Sequence, residues 1–190
     1  MCAALIEFQS DPNMKANDGT TAVHMAAMEG KKDLLRQLIE GTNTKLYSEP
    51  DQKGWTPLFY AAREGHGEAV EWLISVNAKY NEKAEKDENR RPLMVACEAG
   101  HWKVCQILIN KKSNVEDTDT EHRTALFYAV MNGHETVACN LVKPPGKDSA
   151  AEGANPFAKS KGGESLAQIA LEQGMNHFRS LLRGREEGFA

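Results

Sequence analysis

One phrase, Asp51-Gln52-Lys53-Gly54-Trp55-Thr56-Pro57-Leu58-Phe59-Tyr60-Ala61-Ala62-Arg63-Glu64-Gly65-His66, returns in altered copies along the chain. A period of this length restricts the fold to a stack of copies of one small unit, a solenoid. The threonine of Thr-Pro-Leu sets the register: it falls at Thr21, Thr56, Arg91, Thr124 and, more weakly, Ser165, in steps of 35, 35, 33 and 41 residues. Each copy then has a small residue (Ala26, Ala61, Ala96, Ala129, Ala170) and, four positions later, a glycine (Gly30, Gly65, Gly100, Gly133, Gly174). That pair marks a short helix and its stop. After the glycine comes a second apolar stripe, Leu34, Leu35, Leu38, Ile39 in the first copy, Ala69, Val70, Leu73, Ile74 in the second and Val104, Cys105, Leu108, Ile109 in the third, spaced as one face of a helix.

These residues together resemble the ankyrin repeat, a turn plus two antiparallel helices in about 33 residues. The resemblance implies an all-α solenoid of L-shaped helix-turn-helix units with hairpin fingers, in a curved array. On this reading residues 1–190 are one domain. It runs from a half-repeat cap (1–15) through repeat 1 (16–50), repeat 2 (51–85), repeat 3 (86–118) and repeat 4 (119–143) to an inserted loop (144–162), a capping repeat (163–183) and a tail (184–190). In the last copy Arg179 and Arg183 stand where the second has Val70 and Ile74, as suits a repeat with no outer neighbour. Leu5–Asn13 reads as the end of an outer helix and its exit loop, with Met1–Phe8 covering the first full copy.

Local chemistry fits the same units. Pro57 and Pro92 suit a first helical turn, and Thr21, Thr56 and Thr124 sit where an N-cap hydroxyl is wanted. Asn89 and His122 replace the glycine two residues before the threonine and are read as positive-φ turn residues. The histidine that usually follows Thr-Pro-Leu survives only as His24, with Phe59, Met94 and Phe127 in its place. Two extra residues are expected in each of the exits around Thr42–Ser48 and Asn81–Lys86, and eight in the fourth.

With 41% hydrophobic and 26% charged residues the composition is that of a globular chain. No run approaches the ~18 apolar residues of a membrane span, and Met1–Phe8 lacks the basic lead of a secretory signal. The net charge of −4 argues against a nucleic-acid partner. Cys97 and Cys105 fall at core positions, Cys2 and Cys139 at terminal or convex ones, and none has metal-knuckle spacing. A reducing compartment, cytoplasm or nucleus, follows. Phosphate-loop, zinc-protease, nucleophile-elbow and dinucleotide motifs are absent, so no catalytic residue, cofactor or metal is expected. The recurring His66, His101 and His134 are too widely stacked to share a metal and are read as bridging the two helices within each repeat.

What remains is surface. Side chains that differ from copy to copy at the turn tips and inner-helix ends are the expected partner-binding set: Gln52, Lys53, Trp55, Tyr60, Arg63, Glu64, Glu88, Arg90, Glu98, Glu121, Arg123, Tyr128, Met131 and Asn132. Trp55 is either an exposed anchor or a ring packed along the neighbouring turn. Trp72 and Trp102 map to outer helices. The resemblance implies a non-enzymatic, monomeric adaptor that binds a protein partner on its concave face. The alternative is the regulatory or targeting array of a larger enzyme, such as a kinase. A third reading, small-molecule binding, requires a basic pocket beside a long finger, for which Arg90-Arg91 and Lys111-Lys112 are the available pairs.

Overall fold

The structure, a computed structural model, describes residues 13–41, 45–142 and 153–186, with residues 185 and 186 by backbone only. The expected half-repeat cap, apart from residues 13–15, the last residue of repeat 4 (143) and residues 144–152 of the inserted loop lie outside this set. The chain divides into two compact units, Met1–Pro92 and Leu93–Ala190.

In the first unit the order is α1 (Ala22–Met28), α2 (Lys32–Glu40), a 3₁₀ turn (Leu46–Ser48), α3 (Pro57–Arg63) and α4 (Gly67–Ser75). Helices of two turns are unstable alone, so packing must hold them. Ala26, Ala27, Ala61 and Ala62 have no exposed surface, and these small side chains let α1 approach α3 and α2. Leu35, Leu58, Phe59, Val70 and Leu73 fill the space between, each contributing about 1.5–3 kcal/mol by burial.

The second unit holds α5 (Pro92–Glu98) apart from its first residue, α6 (Trp102–Asn110), α7 (Ala125–Met131), α8 (Glu135–Val142), α9 (Leu166–Glu172) and α10 (Asn176–Glu186). Phe127, Phe178, Met94, Leu108, Leu126 and Leu166 are the largest fully buried groups among its described residues. α10 runs to Glu186, so the stretch from residue 184 expected as a tail begins as helix. The described end of the inserted loop is tied down: the Ala154 N–H donates to Leu141 O at 2.9 Å and the Asn155 N–H to a Glu116 carboxylate oxygen at 2.7 Å.

Between helix pairs the chain forms fingers with only isolated antiparallel bridges among the described residues. Finger hydrogen bonds correct the expected position of one insertion. The second finger closes from Asp51 N to Trp55 O at 2.9 Å and the fourth from Asp119 N to Arg123 O at 3.1 Å, whereas the third spans Ala84 N to Arg90 O at 2.8 Å. The two extra residues therefore lengthen the finger itself, and Glu88 and Asn89 absorb the turn at φ 53° and 60°. His122 also has positive φ, 60°.

Thr56 and Thr124 occupy N-cap positions in extended conformation, yet neither hydroxyl caps its helix. Ser165 does so, accepting from Gln168 N at 3.3 Å. The histidines also act differently from the expectation. His66 Nε2 meets Met28 O at 3.0 Å and His134 Nε2 meets Glu98 O at 2.8 Å, each on the preceding helix pair. The contact lies between repeats because a Cβ on Gly30 would stand 2.5 Å from the His66 ring; only glycine leaves room there. In the last copy the Gln173 side chain makes the equivalent bond, donating to Met131 O at 3.0 Å.

Candidate functional site

Asp51 organises the second finger. Its Oδ1 accepts from the backbone N–H groups of Lys53 and Trp55, both at 2.8 Å, and its Oδ2 from the Tyr60 hydroxyl at 2.7 Å. Asp119 repeats the device in the fourth, accepting from Glu121 N and Arg123 N at 2.8 Å and from the Tyr128 hydroxyl at 2.7 Å. Burial opposes ionisation of Asp119, but the Tyr128 and Arg123 bonds outweigh it and hold the carboxyl below its usual range. Burial, with the Asp51 hydrogen bond and charge, pushes the Tyr60 phenol up. In the first and third copies both members are missing together, Ala16 with Met25 and Ala84 with Val95. That paired presence was the available sequence signal for a device sequence reasoning missed.

Trp55 is only 4% exposed, which corrects the exposed-anchor alternative. Its ring stacks on Phe59 at 5.5 Å and meets Tyr60 edge-on at 5.2 Å, and its Nε1–H donates to Asp87 at 2.7 Å. The Arg63 and Arg90 guanidinium groups lie 5.8 and 5.7 Å from the ring centre. Tyr60 and Tyr128 are likewise buried, because each hydroxyl is drawn in to its aspartate. These three aromatics support the fingers from within.

His24 ties the first finger to the second: its Nδ1 accepts from Thr21 N at 3.1 Å, which leaves Nε2–H to donate to Trp55 O at 3.1 Å. Burial depresses its pKa below the usual 6.5, against the raising effects of the Trp55 carbonyl and Asp51. A further bond, Gln52 N–H to Asp18 O at 3.0 Å, joins the two tips, and Lys161 N–H to Glu121 O at 2.8 Å joins the corresponding tips in the second unit.

The other expected positions fall into two groups. Gln52, Lys53, Arg63, Glu64, Glu88, Glu121, Met131 and Asn132 are exposed. Arg90, Glu98 and Arg123 are half-buried. Arg90 is drawn to Asp87 at 2.8 Å and Arg123 to Asp119 at 2.7 Å, so much of their charge is spent inside the finger. Met25, at 45% exposure beside Met28 at 39%, adds an apolar position that sequence reasoning passed over. Cys97 and Cys105 are fully buried with their sulfurs 3.3 Å apart, and burial first, then hydrogen bonding to Cys105, pushes the Cys97 thiol well up, away from reactive thiolate. Trp72 and Trp102 are half-buried on α4 and α6. Among the described residues no cluster of His, Cys, Asp or Glu is arranged for a metal, and no helix is long and apolar enough to cross a membrane.

A family model described as ankyrin repeats (3 copies) matches residues 1–84 and 76–152. The chain belongs to the ankyrin-repeat family. Its curated relatives include the transient receptor potential cation channel subfamily A member 1 homolog of Caenorhabditis elegans, 31% identical over 158 residues, which are 82% of this chain and 12% of that protein. Ankyrin repeat and SOCS box protein 3 of Homo sapiens is 32% identical over 111 residues, 58% of this chain and 21% of its own length. The probable E3 ubiquitin-protein ligase XBOS32 of Oryza sativa subsp. japonica is 38% identical over 112 residues, 57% of this chain and 22% of its own. The chain thus spans about a fifth or less of these relatives. Ankyrin repeats are protein–protein interaction modules and are themselves non-catalytic.

Proposed function

We propose that this chain is a non-enzymatic adaptor that holds a protein partner against its finger tips and the C-terminal ends of the first helix of each pair. The carrying observation is the contrast within each finger. The backbone is clamped from inside by Asp51, Tyr60 and Trp55, or by Asp119 and Tyr128, while Gln52 and Lys53, or Glu121, project outward from it. Rigid presentation lowers the entropy lost on association. Arg63 and Glu64 extend the surface of the first unit, Met131 and Asn132 that of the second, and their unlikeness supports selectivity in what each unit contacts. The module acts as a monomer in the cytoplasm or nucleus.

A photoreactive side chain placed at Lys53 or Arg63 tests this, with Glu71 on α4 as the control. The expected result is one discrete protein adduct from the first two positions and none from Glu71 in extract of the source cells. Adducts of equal yield from Glu71, or none from any position, would overturn the reading. The E3 ligases among the relatives favour a second reading, a targeting array within a larger enzyme. The same surface would then present substrate to a catalytic domain, and the captured protein would accumulate when the array is deleted.

A further inference from the structure

A groove of about 960 Å³ opens in the first unit between the 3₁₀ turn, the base of the second finger and the exit from α4. None of the surface residues assigned to the partner lines it. Four lysines from three separate segments do: Lys45 just before the 3₁₀ turn, Lys79 and Lys83 after α4, and Lys86 in the lengthened third finger. Three carboxylates share the lining. Asp51 has both oxygens taken by Lys53 N, Trp55 N and the Tyr60 hydroxyl, so it is turned to the finger's interior bonds. Glu82 is matched to Lys79 at 2.8 Å and Glu85 to Lys83 at 3.7 Å. Lys45 and Lys86 have no ion pair among the described residues.

We infer that this groove is a binding site for a small polyanion carrying two or more phosphate groups. Two ammonium groups, Lys45 and Lys86, offer their donors from different walls of one concavity, in a chain whose net charge is −4. Lys79 and Lys83 can join them, because their pairs are solvent-exposed, with lysine side chains 70% and 47% accessible, and exposed pairs are held weakly. A phosphate then exchanges one loose carboxylate contact for a stronger, more highly charged one. Lysine suits this ligand, since its ammonium is a point charge that does not demand a flat, bidentate partner. The Tyr47 ring, on the 3₁₀ turn, adds an apolar surface for the body of the ligand. Lys86, in the lengthened Ala84–Arg90 finger, forms part of the groove's third wall. The basic pocket beside a long finger is therefore built from lysines other than Arg90-Arg91 and Lys111-Lys112.

The test is titration calorimetry with tripolyphosphate in low-salt buffer, where screening is weak. Saturable one-to-one binding is expected, with Lys45→Gln and Lys86→Gln each weakening it about tenfold, the scale of one lost charged hydrogen bond. Lys111→Gln with Lys112→Gln should leave it unchanged. All four lysines are exposed, and circular dichroism checks that each variant keeps its helices. A second arm separates the sources of the phosphate. Sedimentation with vesicles bearing phosphorylated inositol headgroups, reversed by tripolyphosphate, assigns the site to a lipid headgroup; binding of the soluble probe without sedimentation assigns it to a soluble metabolite. Absence of both, or equal weakening by the Lys111 and Lys112 changes, overturns the inference.

Discussion

Replacing Trp55 with alanine separates a supporting role from a contacting one. The indole is 4% exposed, between Phe59, Tyr60 and two guanidinium groups, and its N–H bonds to Asp87. Removing a ring so enclosed costs about 3–5 kcal/mol, the aromatic contacts included. For a chain of this size about 2–4 °C accompanies each kcal/mol, so the melting midpoint should fall by roughly 6–20 °C. Trp55→Phe keeps a ring in the stack but loses part of the buried ring volume and the bond to Asp87, which still holds Arg90; about 1–3 kcal/mol is expected. Thermal unfolding followed by far-ultraviolet circular dichroism measures both. An unchanged melting curve in Trp55→Ala, coupled with loss of the Lys53 photoadduct, would refute the packing argument and restore the indole to the partner surface.

The protonation of His24 should be visible in the pH dependence of stability. Its pKa is depressed in the folded chain, so below the usual 6.5 the unfolded state binds the proton first; stability is full above that pH and declines as pH falls through the window beneath it. His24→Phe, the residue type the second and fourth copies use, should flatten this part of the profile, and an equal slope in both proteins between pH 7 and 5 would exclude His24 as its source. Gly30→Ala should destabilise by about 1–3 kcal/mol, since φ is +68° and the new methyl meets the His66 ring. Adding His66→Ala should return part of that loss in a urea titration; strict additivity would falsify the proposed steric coupling.

The repeat itself was legible because the constraint is local. Threonine, paired alanines, glycine and the Leu-Ile stripe are each demanded by backbone geometry within one copy. The positive φ at Asn89 and His122 followed from the same logic. The candidate surface was legible in part. Gln52, Lys53, Arg63 and Glu64 are exposed, as their place at a finger tip or helix end within one copy predicts, whereas the fate of Trp55 depended on Asp87, 32 residues away. An indole at a tip can face water or a neighbour, and only the neighbour's carboxylate decides.

The order of helices, the small residues between them and the glycine stops are properties of one repeat, which short-range sterics and hydrophobic spacing specify without knowledge of the rest. Which polar groups pair is a property of two repeats in contact. His66 reaches back to Met28 rather than across its own repeat, Asp87 claims Trp55, and the extra residues enter the third finger rather than the exit before it. A side chain with several possible partners is settled by distances of a few ångströms between segments some 35 positions apart, and those distances exist only once the copies have stacked.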